Sequence, residues 1–287
     1  MRNRVSLVVE NRDLGENIFL LRLRDPEMGR DMAPGRFVML ATAEGLAPLA
    51  RRPFSIQRVT DDVYDILYKV VGEGTDLMSQ MKPGLQVRVL GPLGNSFATP
   101  ESDECAILLG GGVGIPPMVA MTDALEASGH HHWQAFLGVG SARESGCFVG
   151  FDDRYLVDGA RDERVHLATM DGTLGFEGHV VAAWLDWRER AGREAGRMRL
   201  YACGPMVMLR AVAAEAARLD LPCQVSVETM MGCGVGVCMA CVIENADARN
   251  PEKRATMSPY DRWLLACCKG PVFDSSAVVL DDGGLLH

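Results

Sequence analysis

Residues 105–128 read CAILLG, then GGVGI, then PPMVAMTDALEAS. An apolar run of strand length meets a glycine turn, and the turn opens an amphipathic helix. The turn is Gly110-Gly111-Gly112-Val113-Gly114-Ile115-Pro116-Pro117. Glycines let backbone approach a pyrophosphate closely, and free N–H groups at the following helix start attract its charge. Proline is tolerated there, because the N–H it lacks has no partner in the first helical turn. The spacing is not the strict Gly-x-Gly-x-x-Gly of the dinucleotide fingerprint, so a plain tight turn is the competing reading.

The same alternation continues downstream. Strand-like WQAFLGVG (133–140) and RVHLATM (164–170) precede helical VVAAWLDWRERA (180–191). Strand-like RMRLYACG (197–204) precedes helical PMVMLRAVAAEAARL (205–219). Strands alternating with amphipathic helices predict a doubly wound α/β nucleotide-binding domain, here over residues 101–222.

Upstream of Ser102 the pattern differs. VSLVVE, IFLLRL, RFVMLAT, FSIQRV, YDILYKVV and LQVRVL are short β-type runs. They are separated by Asp25-Pro26, Ala33-Pro34-Gly35, Asp61-Asp62 and Lys82-Pro83-Gly84. Such spacing predicts an antiparallel β-barrel over residues 1–100, with one short helix at Thr75–Met81. After Leu221 the chain turns rich in cysteine and glycine, which marks a small third domain, 223–287.

The 287 residues carry a net charge of −9, which argues against nucleic acid and anionic membranes as partners, since both are polyanions. No apolar run has the length of a membrane span, and the N-terminal stretch turns polar too soon for a secretion signal, so a cytoplasmic protein is expected. Nine cysteines suit a reducing compartment, where clustered thiols are metal ligands or catalytic groups more often than disulfides.

Five of the nine lie between 233 and 268. The spacing Cys233-x4-Cys238-x2-Cys241, followed by the adjacent pair Cys267 and Cys268, is that of a plant-type [2Fe–2S] site. Gly232, Gly234 and Gly236 leave room for backbone to wrap a cluster and turn N–H groups toward its sulfurs. A zinc ribbon would pair two Cys-x2-Cys knuckles, and the second half here has only adjacent cysteines. Residue spacing leaves the choice between Cys267 and Cys268 open. Cys105, Cys147 and Cys223 are expected to be core or surface thiols, and His130-His131-His132, after Gly129, a solvated turn.

Arg51-Arg52-Pro53-Phe54-Ser55-Ile56 pairs two arginines with an aromatic ring and a hydroxyl at a strand start. Arginine clamps a diphosphate in bidentate fashion, and Phe54 and Ser55 offer a ring face and a hydroxyl to an aromatic ligand. Tyr68-Lys69-Val70-Val71-Gly72-Glu73-Gly74-Thr75 then ends a strand and opens a helix, with Thr75 as the expected cap of an anion site. Two phosphate-competent sites on one barrel suggest a dinucleotide such as FAD.

These residues, in this order, resemble the ferredoxin–NADP reductase superfamily. With the C-terminal cysteines, the chain from about Val5 to Val279 resembles the electron-transfer subunits of NAD-dependent dihydroorotate dehydrogenase. Arg52-Pro53-Phe54-Ser55, Gly110 to Pro116, Cys203-Gly204-Pro205 and Gly270-Pro271-Val272-Phe273 carry the likeness. The resemblance implies FAD held by Arg52, Pro53, Phe54, Ser55, Tyr68, Lys69, Val70, Gly74 and Thr75. It implies NAD at Gly111, Gly112, Gly114, Asp171, Cys203 and Gly204, with Cys203 at a strand end beside the nicotinamide and flavin rings. It also implies Cys267 as the fourth cluster ligand, three positions before Gly270.

Reductases that prefer NADPH tend to place Ser-Arg at the position of Thr169-Met170-Asp171-Gly172-Thr173, where this chain offers Asp171. A carboxylate there repels a 2′-phosphate and accepts from a ribose hydroxyl, which favours NADH, although Arg143 is within reach of a phosphate. The implied partner is an FMN-containing catalytic subunit that oxidises dihydroorotate to orotate, in a heterotetramer. Hydride comes two electrons at a time and a [2Fe–2S] cluster moves one, and a flavin handles both, so no acid–base residue is needed. Alternatives are a related reductase subunit serving a hydrogenase, a sulfite reductase or ferredoxin, and a redox-sensing iron–sulfur module without turnover. The stretch 244–266 is longer than is usual between the third and fourth ligands of such a site.

Overall fold

In the computed structural model, residues 2–42, 50–155, 162–192 and 196–280 are described. The remainder of the third predicted segment, 281–287, lies outside them. Seven strands make the first sheet: β1 (Arg2–Asp13), β2 (Ile18–Arg24), β3 (Phe37–Leu40), β4 (Arg52–Ser55), β5 (Arg58–Thr60), β6 (Val63–Lys69) and β7 (Gln86–Leu93). Their order is β4-β3-β7-β1-β2-β6-β5, with antiparallel pairing throughout. No ladder joins β4 to β5 among the described residues, so the sheet is an antiparallel half-barrel. FSIQRV, expected as one strand, is two. β4 pairs β3 at one edge, Ile56 and Gln57 cross over, and β5 pairs β6 at the other. The crossing binds the barrel to the next layer. Gln57 Nε2 donates to Val149 O at 2.6 Å, and Arg58 donates to Asp123 Oδ2 at 2.8 Å and to Gly150 O at 2.7 Å. Such bonds contribute on the order of 1 kcal/mol each, more where charge is shared.

The second sheet holds β8 (Glu104–Gly111), β9 (Trp133–Val139), β10 (Val165–Thr169), β11 (Phe176–Glu177), β12 (Arg197–Cys203) and β13 (Cys223–Ser226). β14 (Val242–Glu244) and β15 (Trp263–Leu265) form a separate hairpin, and β16 (Val272–Asp274) returns to the second sheet. Its order is β11-β10-β9-β8-β12-β13-β16, parallel except for β16. Every residue of β8 is buried, as expected of a central parallel strand covered on both faces. Helices Pro116–Ala127, Val180–Ala191 and Met206–Arg218 match the amphipathic runs read from sequence. β13 and β16 come from the cysteine-rich segment, so that segment completes the nucleotide sheet before and after its own loop. Asn95 ties it to the barrel, accepting from Val272 N at 3.0 Å and donating to Val272 O at 2.8 Å.

The short helix runs Glu73–Ser79, two residues earlier than expected. Thr75 lies inside it and is not the cap. Its hydroxyl accepts from Val71 N at 2.9 Å and Gly72 N at 3.2 Å, and donates to Gly72 O at 2.9 Å. That side chain is occupied in closing the turn.

Candidate functional site

The three segments meet at one cavity of about 360 Å³. The half-barrel lines it with Pro53, Phe54 and Ser55 of β4 and with Tyr68 and Lys69 at the end of β6. The α/β layer supplies Val113 and Cys203, and the C-terminal segment supplies Ser226 to Thr229 and Met231. Tyr68 is held rigidly. It stacks on Phe19 with ring centres 5.5 Å apart, meets Phe54 edge-on at 6.0 Å, and donates its hydroxyl to Asn11 Oδ1 at 3.1 Å. Lys69 Nζ reaches across to Glu144 Oε1 at 2.6 Å, which holds the Glu144 carboxyl below its usual pKa.

Among the predicted flavin residues, Val70 packs into the barrel core, and its neighbour Val71 lines the cavity in its place. Arg52 and Gly74 stand beside each other outside the cavity wall. A Cβ on Gly74 would lie 2.8 Å from Arg52 Nε and 3.1 Å from Cζ and Nη2.

The glycine turn after β8 winds one tight helical turn, Gly112–Gly114, before the helix at Pro116. Gly114 packs directly on β12: an added Cβ would stand 2.5 Å from the Cys203 carbonyl carbon and oxygen and from Gly204 Cα. A Cβ added to Gly204 would in turn stand 3.1 Å from the Gly111 amide nitrogen. Gly111, Gly112, Gly114, Cys203 and Gly204 therefore sit at adjoining strand ends of β8 and β12. Cys203 is buried, and burial pushes its thiol pKa up. Asp171 is exposed at the end of β10, accepting from Thr173 Oγ1 at 2.6 Å. Thr173 Oγ1 accepts from Ala142 N at 2.9 Å, so the Asp171 loop and the turn carrying Arg143 are joined.

The cysteine loop wraps tightly through Gly234 (φ 74°) and Gly236 (φ 81°), left-handed conformations that favour glycine. Cys233 Sγ accepts amide N–H groups from Val235, Val237 and Cys238, each at 3.4 Å. Those donors, Cys238 N–H foremost, pull its thiol pKa down to about 6. Register then brings the distant cysteines together. Val242 pairs with Leu265 in the β14–β15 hairpin, so Cys241 lies opposite Ala266, and Cys267 N donates to Cys241 Sγ at 3.4 Å. Cys267 is buried and Cys268 exposed, with their sulfurs 3.6 Å apart. The long 244–266 stretch is the outer arm of this hairpin, closed by Asn245 N donating to Arg262 O at 2.9 Å, so its length leaves Cys241 and Cys267 in register. Among the described residues, no three Cys, His, Asp or Glu side chains gather as one metal ion would need. Cys105, Cys147 and Cys223 are all buried, with burial raising their pKa to about 12, about 12 and about 11. His131 meets Glu126 at 2.8 Å in the turn after the helix.

The chain is 34% identical over 269 residues to the electron transfer subunit of dihydroorotate dehydrogenase B (NAD(+)) of Desulforamulus reducens, covering 92% of this chain and 93% of that one. It is 33% identical over 286 residues to the same subunit of Bacillus cereus, covering 98% and 100%. The chain belongs to this family of electron transfer subunits. A family model, the iron–sulfur cluster binding domain of dihydroorotate dehydrogenase B, matches residues 228–279. A solved NADH-dependent reduced ferredoxin–NADP oxidoreductase shares the fold with a TM-score of 0.76, at 24% identity, over 97% of this chain and 91% of that one.

Residues 228–279 include the cysteines together with Glu228, Thr229 and Met231 of the cavity. These last, with Ser226, were not found by reading the sequence. They form no motif, and only the pairing of β13 beside β12 brings them to Cys203.

Gly74→Ala tests whether the Arg52 edge of this family member holds a flavin. Alanine suits a helix better than glycine by about 0.5–1 kcal/mol, so the fold should hold. The new methyl must displace the Arg52 guanidinium. We expect FAD affinity, measured by flavin retained after dialysis, to fall about tenfold with an unchanged thermal midpoint.

Proposed function

We propose that this chain passes electrons between an FMN-containing subunit, which oxidises dihydroorotate to orotate, and NAD, by way of a [2Fe–2S] cluster and FAD. The observation that carries the reading is the shared cavity: the β4 and β6 residues, Cys203 of the nucleotide layer and the strand leading into the cysteine loop all face it.

The residues fit the groups. Thr229 Oγ1 is buried in the cavity wall with no hydrogen-bond partner, which suits a polar ring atom. Phe54, Ser55 and Tyr68 would hold the flavin ring, with Arg52 and Gly74 toward its phosphates. Gly111, Gly112, Gly114 and Gly204 would pass the NAD backbone along β8 and β12, with Cys203 beside the nicotinamide. Thiolates of Cys233, Cys238, Cys241 and Cys267 would hold the cluster, and the amides on Cys233 would offset its negative charge. The flavin converts two-electron hydride chemistry into one-electron steps. The chain's own work is alignment, exclusion of water and a short route from cavity to cysteine loop. The nine free thiols suit the reducing cytoplasm, and we expect a heterotetramer with the partner.

Anaerobic addition of NADH to the purified protein should bleach the flavin first and the cluster second. A flavin left oxidised would favour a sensing module. Co-purification with the partner and assay of dihydroorotate:NAD activity separates this reading from a reductase serving another acceptor. Asp171→Ser should raise the use of NADPH relative to NADH severalfold in kcat/KM, and the change should shrink at high salt.

A further inference from the structure

The proposed cluster ligands are unequally supplied with donors. Cys233 Sγ accepts three backbone N–H groups, and Cys241 Sγ accepts one, from Cys267. Among the described residues the partners of Cys267 Sγ are two thiols, Cys241 and, at 3.6 Å from sulfur to sulfur, Cys268. The short helical turn Ala266–Lys269 carries both members of the adjacent pair. Cys268 Sγ lies 2.7 Å from where a Cβ on Gly236 would stand, so that glycine leaves the space its sulfur fills. Only Cys238 and Cys268 are exposed among the nine cysteines, and Cys238 is a proposed ligand. Between two free thiols either sulfur can donate. A metal removes the ambiguity, because a coordinated cysteine is a thiolate and carries no proton. In the loaded chain Cys241 and Cys267 only accept, and Cys268 is left as the donor.

We infer that the Cys268 S–H donates to the Cys267 thiolate and raises the reduction potential of the [2Fe–2S] cluster. The inference rests on the reading that Cys233, Cys238, Cys241 and Cys267 hold that cluster. An added electron spreads negative charge onto the ligand sulfurs. A donor on one of them therefore stabilises the reduced form more than the oxidised form. A thiol is a weaker donor than an amide, so the effect is modest. It counts at this position because Cys267 is buried, away from the water that would otherwise supply donors. Cys268 acts through Cys267 and does not touch iron. It makes the cluster a better electron acceptor and favours holding the electron between the two flavins.

The test is potentiometric titration of the cluster- and flavin-loaded chain, followed by the paramagnetic resonance signal of the reduced cluster. Cys268→Ala should keep the iron and the visible absorbance. It should shift the cluster's one-electron equilibrium about fivefold toward the oxidised form, a fall of about 40 mV at about 59 mV per tenfold. The flavin midpoint should not move. Cys268→Ser, which keeps a donor at this position, should hold the cluster potential at or above that of the wild type. Alkylation of the loaded chain with iodoacetamide is a second measurement, since Cys268 is the exposed thiol outside the ligand set. It should lower the wild-type midpoint as alanine does and leave that of Cys268→Ala unmoved. An alanine variant with the wild-type potential, or a serine variant as low as alanine, overturns the inference and leaves the ligand set standing. Loss of the cluster from both variants makes Cys268 a ligand and overturns the site reading along with it.

Discussion

Cys267→Ser should strip the cluster's visible absorbance from the purified protein, whereas Cys268→Ser should keep it. The two thiols are adjacent in sequence and 3.6 Å apart, but their settings differ. Cys267 is 2% exposed and its amide donates to Cys241 Sγ, so the register of β14 and β15 holds it beside another proposed ligand. Cys268 is exposed, with its sulfur 2.7 Å from where a Cβ on Gly236 would stand. It crowds the loop from outside. Loss of a ligand exceeds the loss of an outer hydrogen bond, which alone changes metal sites by about 10–100-fold. Electron delivery to the partner should therefore fall on the order of a hundredfold or more, while NADH still reduces the flavin. Absorbance and iron content of both variants, read together with flavin reduction, check this. Cluster loss from Cys268→Ser with retention in Cys267→Ser would reverse the assignment.

Gly114→Ala should be the most damaging small change in the nucleotide layer. The added methyl meets the Cys203 carbonyl and Gly204 Cα at 2.5 Å, and these are backbone atoms between buried strands, with no flexible end to swing away. Overpacking of this kind costs about 3 kcal/mol or more, and in a chain of this size lowers the melting midpoint by about 6 °C or more. Any relief must push the glycine turn off the end of β12, so flavin reduction by NADH should slow as well. Gly112→Ala is the control. Its φ is 53°, but nothing lies within 4 Å of the added Cβ. The expected loss is about 1 kcal/mol of backbone strain. Thermal melts of the two variants, with stopped-flow reduction, separate steric collision from strain. Equal melting shifts would remove the packing argument.

Much of this protein is legible along the chain because the signals are local. The period of 3.6 in VVAAWLDWRERA predicts the helix Val180–Ala191, since each turn buries the same face. The short apolar runs predict strands, and Cys-x4-Cys-x2-Cys with its glycines describes a loop that closes on itself. What lay beyond the sequence depended on partners far away in it. The breaking of FSIQRV into β4 and β5 follows from which edge each half pairs with. The placing of Thr75 inside its helix depends on hydrogen bonds from Val71 and Gly72. The entry of Ser226 to Thr229 into the cavity depends on β13 lying beside β12. The approach of Cys267 to Cys241 depends on one hairpin register across 25 intervening residues. Periodicity records which face of an element is buried. It does not record against what, and sheet order and strand register are decided only when those faces are matched to one another in the folded chain.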